Sequence, residues 1–497
     1  MFRKKYIIPA IILLSLIVFV ASSHVGNRMH SFNPYDSLET FTAYLNESIP
    51  EIISEYDVPG ICIGLINNGK PVWSGAYGFA NLEHGERMNV NAVFRVESIS
   101  KSVTAWGVMK LVEKGLIDLD APLETYLGEW QFPESEYSGN RITLRQLLSH
   151  TAGMPLGTIG MEYPPDGKVP SLRETLSREA IINSEPDKKF SYSNTGFNLL
   201  ELIIEEVTGR SFAEYMKEEI LLPLGMSESS FEWNESYRSL LPKGYDLNEK
   251  EVAAYVYPSK ASGGLFSTVE DIARFVSAGT FGTLYDSTIV KRKNVLKMYS
   301  PHVKIPGIFS VVADAYGFGH FIEELSNGRA VWHGGQGHGW MSHFHLLPES
   351  GEGIVILTNS QRSWPVIAEI LNNWARWKGL GSLKMGRIKY GITAIRIFIY
   401  TILIFSILYL SIIIYGLLNG RCKFSLKKDS ISATGIVKCT LSLIILGALA
   451  WSSAQPYLIV SSIFPGLAGY AGYSLLFFAA VMFVSSFFPK INRSLSA

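Results

Sequence analysis

Three stretches toward the C-terminal end, about Ile397–Leu418, Leu441–Phe464 and Leu467–Phe488, carry no charged residue. Each approaches the ~20 apolar residues that cross a ~30 Å hydrocarbon core. In lipid every backbone N–H and C=O must be satisfied internally, so segments of this kind are restricted to helix. A fourth apolar run, Tyr6–Ala21, follows the basic start Met1-Phe-Arg-Lys-Lys5 and has the layout of a secretory signal or signal anchor. Ala21-Ser-Ser23 offers small residues for cleavage, so cleaved and uncleaved forms both stay open. The expected division is therefore 1–23 as signal peptide or anchor, 24–378 as an outer domain, 379–396 as a basic juxtamembrane linker, and 397–497 as a membrane domain of about three helices.

Charge then orients the chain. Arg421, Lys423, Lys427, Lys428 and Lys438 lie between the first two spans, and Lys490 and Arg493 lie in the tail. The positive-inside rule puts these and Arg3-Lys4-Lys5 in the cytoplasm, leaving about Ser23 to Tyr390 outside. Arg376, Lys378, Lys384, Arg387, Lys389 and Arg396 cut against that rule, and their expected role is contact with lipid headgroups. Spans without ionisable residues argue against a transporter or channel. Lys+Arg and Asp+Glu both total 44, so nothing in the overall charge calls for nucleic acid. Cys62 is the single cysteine outside the membrane region, which leaves no internal disulfide and no Cys-x-x-Cys pair for metal or redox work.

The outer domain opens and closes with strand patterns. Ile61–Ile66, the turn Asn67-Asn-Gly69 and Pro71–Gly78 read as a β-hairpin. Tyr316–Glu323 with Arg329–His333, and Trp340–Leu347 with Ile354–Asn359, read as two more. One antiparallel sheet assembled from both ends of the domain is expected. Helices over about Tyr35–Tyr56 and Trp364–Trp377 would flank it, and a helix-rich insertion, about Val103 to Val311, would sit beside it. The fold class is α+β, with transmembrane helices appended.

The chemistry begins at Phe94-Arg-Val-Glu-Ser98-Ile-Ser-Lys101, a loop entering a mostly apolar helix. One helical turn places the Ser98 hydroxyl and the Lys101 amine on the same face. A serine needs an adjacent base, and a desolvated lysine with a lowered pKa can supply one. The helix N-terminus adds backbone N–H groups for a developing oxyanion. The spacing alone is common, since Ser425-Leu-Lys-Lys428 has it too. What distinguishes Ser98 is the ordered company of Leu147-Leu-Ser-His-Thr-Ala-Gly-Met-Pro155, Phe190-Ser-Tyr192-Ser-Asn194, Ala261-Ser-Gly-Gly-Leu-Phe-Ser267 and Trp332-His333-Gly334-Gly335-Gln336-Gly-His-Gly339.

In this order the segments resemble the serine β-lactamase/penicillin-binding-protein-like superfamily, above all the branch of class C β-lactamases, D-aminopeptidases, DD-carboxypeptidases and related esterases. The resemblance covers about Tyr35 to Trp377. It implies a β-lactamase/transpeptidase-like fold in which Ser98 is acylated and Lys101 assists its deprotonation. It implies that Tyr192 acts as a phenolate general base and then protonates the leaving group, its pKa drawn down from about 10 by cations such as Lys101. Asn194 would hydrogen-bond the substrate amide and orient the lysine. His333-Gly334-Gly335 would take the place of the family's Lys-Thr-Gly strand, its glycines leaving room for substrate along the strand edge. The N–H groups of Ser98 and Gln336 would form the oxyanion hole.

One departure matters. Histidine at 333 is mostly neutral at pH 7 and binds an anion less strongly than lysine, which favours D-amino-acid amides or esters, or cell-envelope peptides, over β-lactams. His150 reads as a buried histidine supporting the site. His333, His338, His343 and His345 fit no common zinc spacing, so neither metal nor cofactor is expected. The expected partners are a small-molecule or peptide substrate and the lipid bilayer, with no nucleic acid and no obligate protein partner. The competing reading is a non-catalytic envelope binding or sensor protein that retains the fold.

Overall fold

The computed structural model describes residues 32–139, 141–157, 161–281, 289–326, 328–425, 432–455 and 459–489. These fall into two compact units, one from Phe32 to Arg387 and one from Ile388 onward. The expected signal segment 1–23 and the second Ser-x-x-Lys, Ser425–Lys428, lie wholly or partly outside the described residues.

The first unit is built on a nine-stranded antiparallel sheet. Its strands are β1 (Gly60–Asn67), β2 (Lys70–Asn81), β3 (Glu86–Arg87), β4 (Val303–Lys304), β5 (Ala315–Tyr316), β6 (Phe321–Leu325), β7 (Gly328–Gln336), β8 (Met341–Leu347) and β9 (Glu352–Thr358). They run across the sheet in the order β3-β2-β1-β9-β8-β7-β6-β5-β4. The two ends of the domain meet at β1–β9, where Ile61 pairs with Thr358 and Leu65 with Ile354. The β1–β2 turn is the two-residue Asn68-Gly69, with φ of 50° and 70°. Two positive φ values give the primed turn whose twist matches the flanking strands, and Asn-Gly is its favoured pair.

Helix α1 (Leu38–Glu55) is capped by Ser37, whose side chain accepts the Thr40 N–H at 3.2 Å. It buries Phe41, Leu45, Ile49 and Ile52 at helical spacing. With α6 (Trp364–Trp377) it covers one face of the sheet. The other face carries α2 (Ile99–Glu113), α5 (Val269–Ala278) and the helical insertion, including α3 (Leu144–Leu148) and α4 (Asn194–Thr208). Helix α2 is buried nearly all round. A helix enclosed on every side by protein belongs to a core, and here Tyr215 packs against it and donates to the Gly107 carbonyl at 2.9 Å.

In the second unit α7 (Ile388–Leu418), α8 (Ala433–Ser453) and α9 (Leu467–Ser485) are long and apolar enough to cross a membrane. Helix α9 packs on both others, while Ile412, Tyr415, Trp451 and Tyr473 stay exposed, as on a lipid-facing surface. Two boundaries differ from expectation. Residues 388–396, expected as linker, are the opening turns of α7; the segment has no proline, and Gly391 is a weak helix former that the long apolar helix tolerates. The second span begins eight residues earlier, at Ala433 rather than Leu441, and stops at Ser453. Ser432 caps it by accepting the Gly435 N–H, and Pro456 in the sequence cannot continue a helix. Lys438, expected in a loop, therefore lies within α8 and stacks 5.1 Å over the Tyr409 ring.

Candidate active site

Ser98 stands at the N-terminal end of α2, but its hydroxyl caps no helix N–H. The residue before it, Glu97, is held at φ 51°, a left-handed conformation uncommon for a side-chain-bearing residue. What holds it is buried and charged. Arg95 Nε donates to Glu97 Oε1 at 2.9 Å, with both side chains almost fully enclosed. The hydroxyls of Tyr255 and Tyr257 donate to the same carboxylate at 3.1 and 2.9 Å. The Arg95 guanidinium also lies 4.0 Å from the Tyr255 ring centre and 4.6 Å from that of Tyr257. This clamp sets the entry angle of the serine, and the sequence reading missed it. Its one local signal is a pair of opposite charges directly ahead of Ser98 in an otherwise apolar segment.

Lys101 Nζ lies 3.1 Å from Ser98 Oγ and donates to the Ser262 carbonyl at 2.7 Å. The side chain is fully buried, with the Tyr192 ring centre 4.9 Å and that of Phe197 5.8 Å from Nζ. Burial disfavours the ammonium and lowers its pKa from 10.5 to about 7, against the opposing pull of Glu97. Glu201 on α4 secures the turn that presents Ser262: its Oε2 accepts the N–H groups of Lys260 and Ala261 at 2.5 and 2.8 Å.

Tyr192 precedes Ser193, the N-cap of α4, its ring centre lies 4.9 Å from Lys101 Nζ, and the Ser98 hydroxyl partly offsets its desolvation. The structure thus brings Ser98, Lys101 and Tyr192 into one group. The expected drop in the tyrosine pKa is reversed: desolvation raises it above the usual value, so the resting group is a phenol. Asn194 opens α4 beside it, its backbone N–H donating to the Leu156 carbonyl at 2.9 Å. Among the described residues Asn194 makes no hydrogen bond to Lys101; the Ser262 carbonyl does the orienting instead.

His333 is fully buried on β7. Its Nδ1 donates to the Gly334 carbonyl at 2.9 Å, so Nε2 is the acceptor for the Tyr316 hydroxyl at 3.1 Å. Burial, with the nearby Lys101 charge, pushes its pKa well below the usual value. Both nitrogens are satisfied and the ring is neutral, so it offers nothing to an anionic substrate. Gly335 also differs from expectation. A Cβ there would overlap the Val96 carbonyl oxygen and Ser342 Oγ and lie 2.9 Å from Glu97 Cβ. The glycine makes room for the loop carrying Ser98 rather than for substrate. The β6–β7 ladder runs from Gly328 to Trp332 and stops before Gly334. The Gln336 side chain turns to the opposite face and accepts from Trp364 Nε1 at 2.9 Å.

The remaining histidines do not converge on Ser98, although His343 Nε2 lies 3.4 Å from His345 Nδ1. His338 Nδ1 pairs with Glu162 Oε2 at 3.0 Å. His343 and His345 alternate with Phe344 along β8, fully buried beneath α6. Among the described residues no group of three or more His, Cys, Asp or Glu side chains is placed to hold a metal ion.

A nucleophile-bearing helix buried between an antiparallel sheet and a helical insertion, with lysine and tyrosine at the serine, defines a serine-hydrolase architecture. The sequence matches the beta-lactamase family over residues 39–372, and the chain belongs to that family. It is 26% identical over 319 residues to penicillin-binding protein 4* of Bacillus subtilis, covering 59% of this chain and 66% of that protein. It is 29% identical over 315 residues to the human mitochondrial serine beta-lactamase-like protein LACTB, covering 49% and 57%. Among solved structures, the penicillin-binding protein homologue from Pyrococcus abyssi superposes with a TM-score of 0.57 at 30% identity, over 66% of this chain and 77% of that one. The D-amino acid amidase of Ochrobactrum anthropi, complexed with D-phenylalanine, gives 0.52 at 25%, over 64% and 92%.

Proposed function

We propose that this chain is a serine hydrolase working through an acyl-serine at Ser98, held at the cell membrane by its apolar helices with the catalytic unit on the extracytoplasmic side. The observation that carries the reading is the 3.1 Å separation of Ser98 Oγ from a fully buried lysine amine whose pKa burial lowers to about 7. Near neutral pH roughly half of Lys101 is then free amine. It takes the Ser98 proton as Oγ attacks a carbonyl carbon. The backbone N–H groups of Ser98 and Gln336 receive the oxyanion, each donor supplying about 2.7–4 kcal/mol. Tyr192, kept as a phenol, gives its proton to the leaving nitrogen or oxygen and regains one from the Lys101 ammonium. Asn194 hydrogen-bonds the substrate amide. Water then releases the acyl group, with the same residues acting in reverse.

Substrate choice follows from charge. His333 is neutral, Lys101 titrates, and the buried Arg95 is taken up by Glu97, so none of the three is a permanent cation for a substrate carboxylate. This favours neutral amides and esters of D-amino-acid or cell-envelope type over β-lactams, in keeping with the similarity to a D-amino acid amidase. The test is the intact mass of the full chain in detergent after exposure to a fluorophosphonate and, separately, to a penicillin. One fluorophosphonate adduct, lost in Ser98→Ala, with little penicillin adduct, is expected. No adduct with either reagent on folded protein would sink the reading in favour of a binding module.

A further inference from the structure

We propose that His150, which lies outside the reacting group, is a positioning residue that holds Tyr192 as proton donor to the leaving group; this rests on the hydrolase reading above. Two bonds converge on this one residue. The His150 carbonyl accepts the Ser191 N–H at 2.8 Å, and its Nδ1 accepts the Ser193 N–H at 3.2 Å. The residues on either side of Tyr192 are thereby both tied to it, and the His150 and Tyr192 ring centres lie 4.4 Å apart.

The features that packing alone does not need are also present. His150 sits at φ 57°, in the left-handed region. Because Nδ1 accepts, the neutral ring carries its proton on Nε2, and that buried N–H has no hydrogen-bond partner among the described residues. The rings of Phe190, Tyr192, Phe197 and Tyr316 surround it at 4.4–5.9 Å. A leucine would fill such an enclosure without stranding a donor. What an imidazole adds is the acceptor at Nδ1. A tyrosine loop free to drift by about 1 Å would lose on the order of a hundredfold in proton delivery.

The test is phosphonylation of Ser98 in the full chain in detergent, followed by intact mass, with probes that need proton donation to different degrees. In each, the Ser98 Oγ–P bond forms as the bond from phosphorus to the leaving group breaks. The Ser98 proton passes to Lys101, and for an aryloxide the Tyr192 proton goes to the departing oxygen and is replaced from Lys101. Fluoride leaves without that help, p-nitrophenoxide needs little, and phenoxide needs most. His150→Leu should slow the phenyl phosphonate by about tenfold or more while changing the fluorophosphonate rate less than about threefold. Tyr192→Phe should show the same selectivity. His150→Asn, which offers an amide oxygen and tolerates the left-handed backbone, should restore the phenyl reaction to within about threefold. Equal slowing across all probes, or no rescue by asparagine in folded protein, overturns the proposal and makes His150 a packing residue. If the leucine variant does not fold, His150→Gly is measured with and without imidazole, and no selective recovery of the phenyl reaction overturns the proposal. An unsubstituted chain that forms no adduct overturns the hydrolase reading itself, and the positioning role with it.

Discussion

The Tyr316 hydroxyl donates to His333 Nε2 across 3.1 Å in a fully buried setting, and that bond fixes the tautomer of a ring that burial keeps neutral. Tyr316→Phe leaves the nitrogen buried without a donor, at about 1–3 kcal/mol. The expected result is a thermal transition lowered by several degrees, read by near-UV circular dichroism, with Ser98 still labelled by a fluorophosphonate.

Rate should follow the protonation of Lys101. Its folded pKa is lowered to about 7, so the free amine accumulates as pH rises through that value. The acylation rate constant should climb with a midpoint near 7. It should not fall again just above, because Tyr192 is pushed up rather than down. Lys101→Arg, which cannot deprotonate, should abolish labelling across the whole range from about pH 6 to about pH 9. A midpoint that survives the substitution would assign the titration to another group.

Gly335 and Gly196 make a matched pair. At Gly335 an added methyl overlaps the Val96 carbonyl and presses on Glu97, whereas at Gly196 in α4 the nearest atom would be 3.6 Å away. Gly335→Ala should cost about a hundredfold in acylation by displacing the serine. Gly196→Ala should be neutral or raise stability by about 0.5–1 kcal/mol. Comparable labelling rates in the two variants would contradict the close approach.

Removing Arg95 strands a buried carboxylate. Arg95→Met should destabilise the Phe32–Arg387 unit by about 3–5 kcal/mol and slow labelling of any folded fraction, since Glu97 no longer has its partner at 2.9 Å. Thermal unfolding beside a labelling assay separates the two effects.

Acid should unfold this unit early. His150, His320, His333, His343 and His345 are all buried with lowered pKa values, His320 to about 4 and His345 to about 3. A histidine depressed in the folded state is protonated first in the unfolded chain. The stability is therefore present above about pH 6.5 and is lost as pH falls from there toward the folded values. For His320 alone the limit is about 3 kcal/mol. Fluorescence-monitored unfolding from about pH 7 to about pH 4 should show a steep loss, and a flat profile would count against neutral buried rings.

What the sequence determined by itself were the features that arise from near neighbours along the chain. Alternation and the Asn68-Gly69 turn specified the β1–β2 hairpin, uncharged runs specified three apolar helices, and one helical turn placed Lys101 beside Ser98. The ordered motifs carried the resemblance to the serine-hydrolase superfamily. Only the tertiary structure decided the charge states and the supports. The pKa of Lys101 depends on its enclosure beside Tyr192 and Phe197, and its placement on the Ser262 carbonyl, 161 positions away. The neutrality of His333 depends on burial beside Lys101 and its tautomer on Tyr316, and the strained approach to Ser98 depends on Tyr255 and Tyr257 meeting Glu97. Desolvation and hydrogen bonding act between groups adjacent in space, so no local pattern announced that Tyr192 is a phenol, that Gly335 serves the loop, or that both nitrogens of the neutral His333 are engaged.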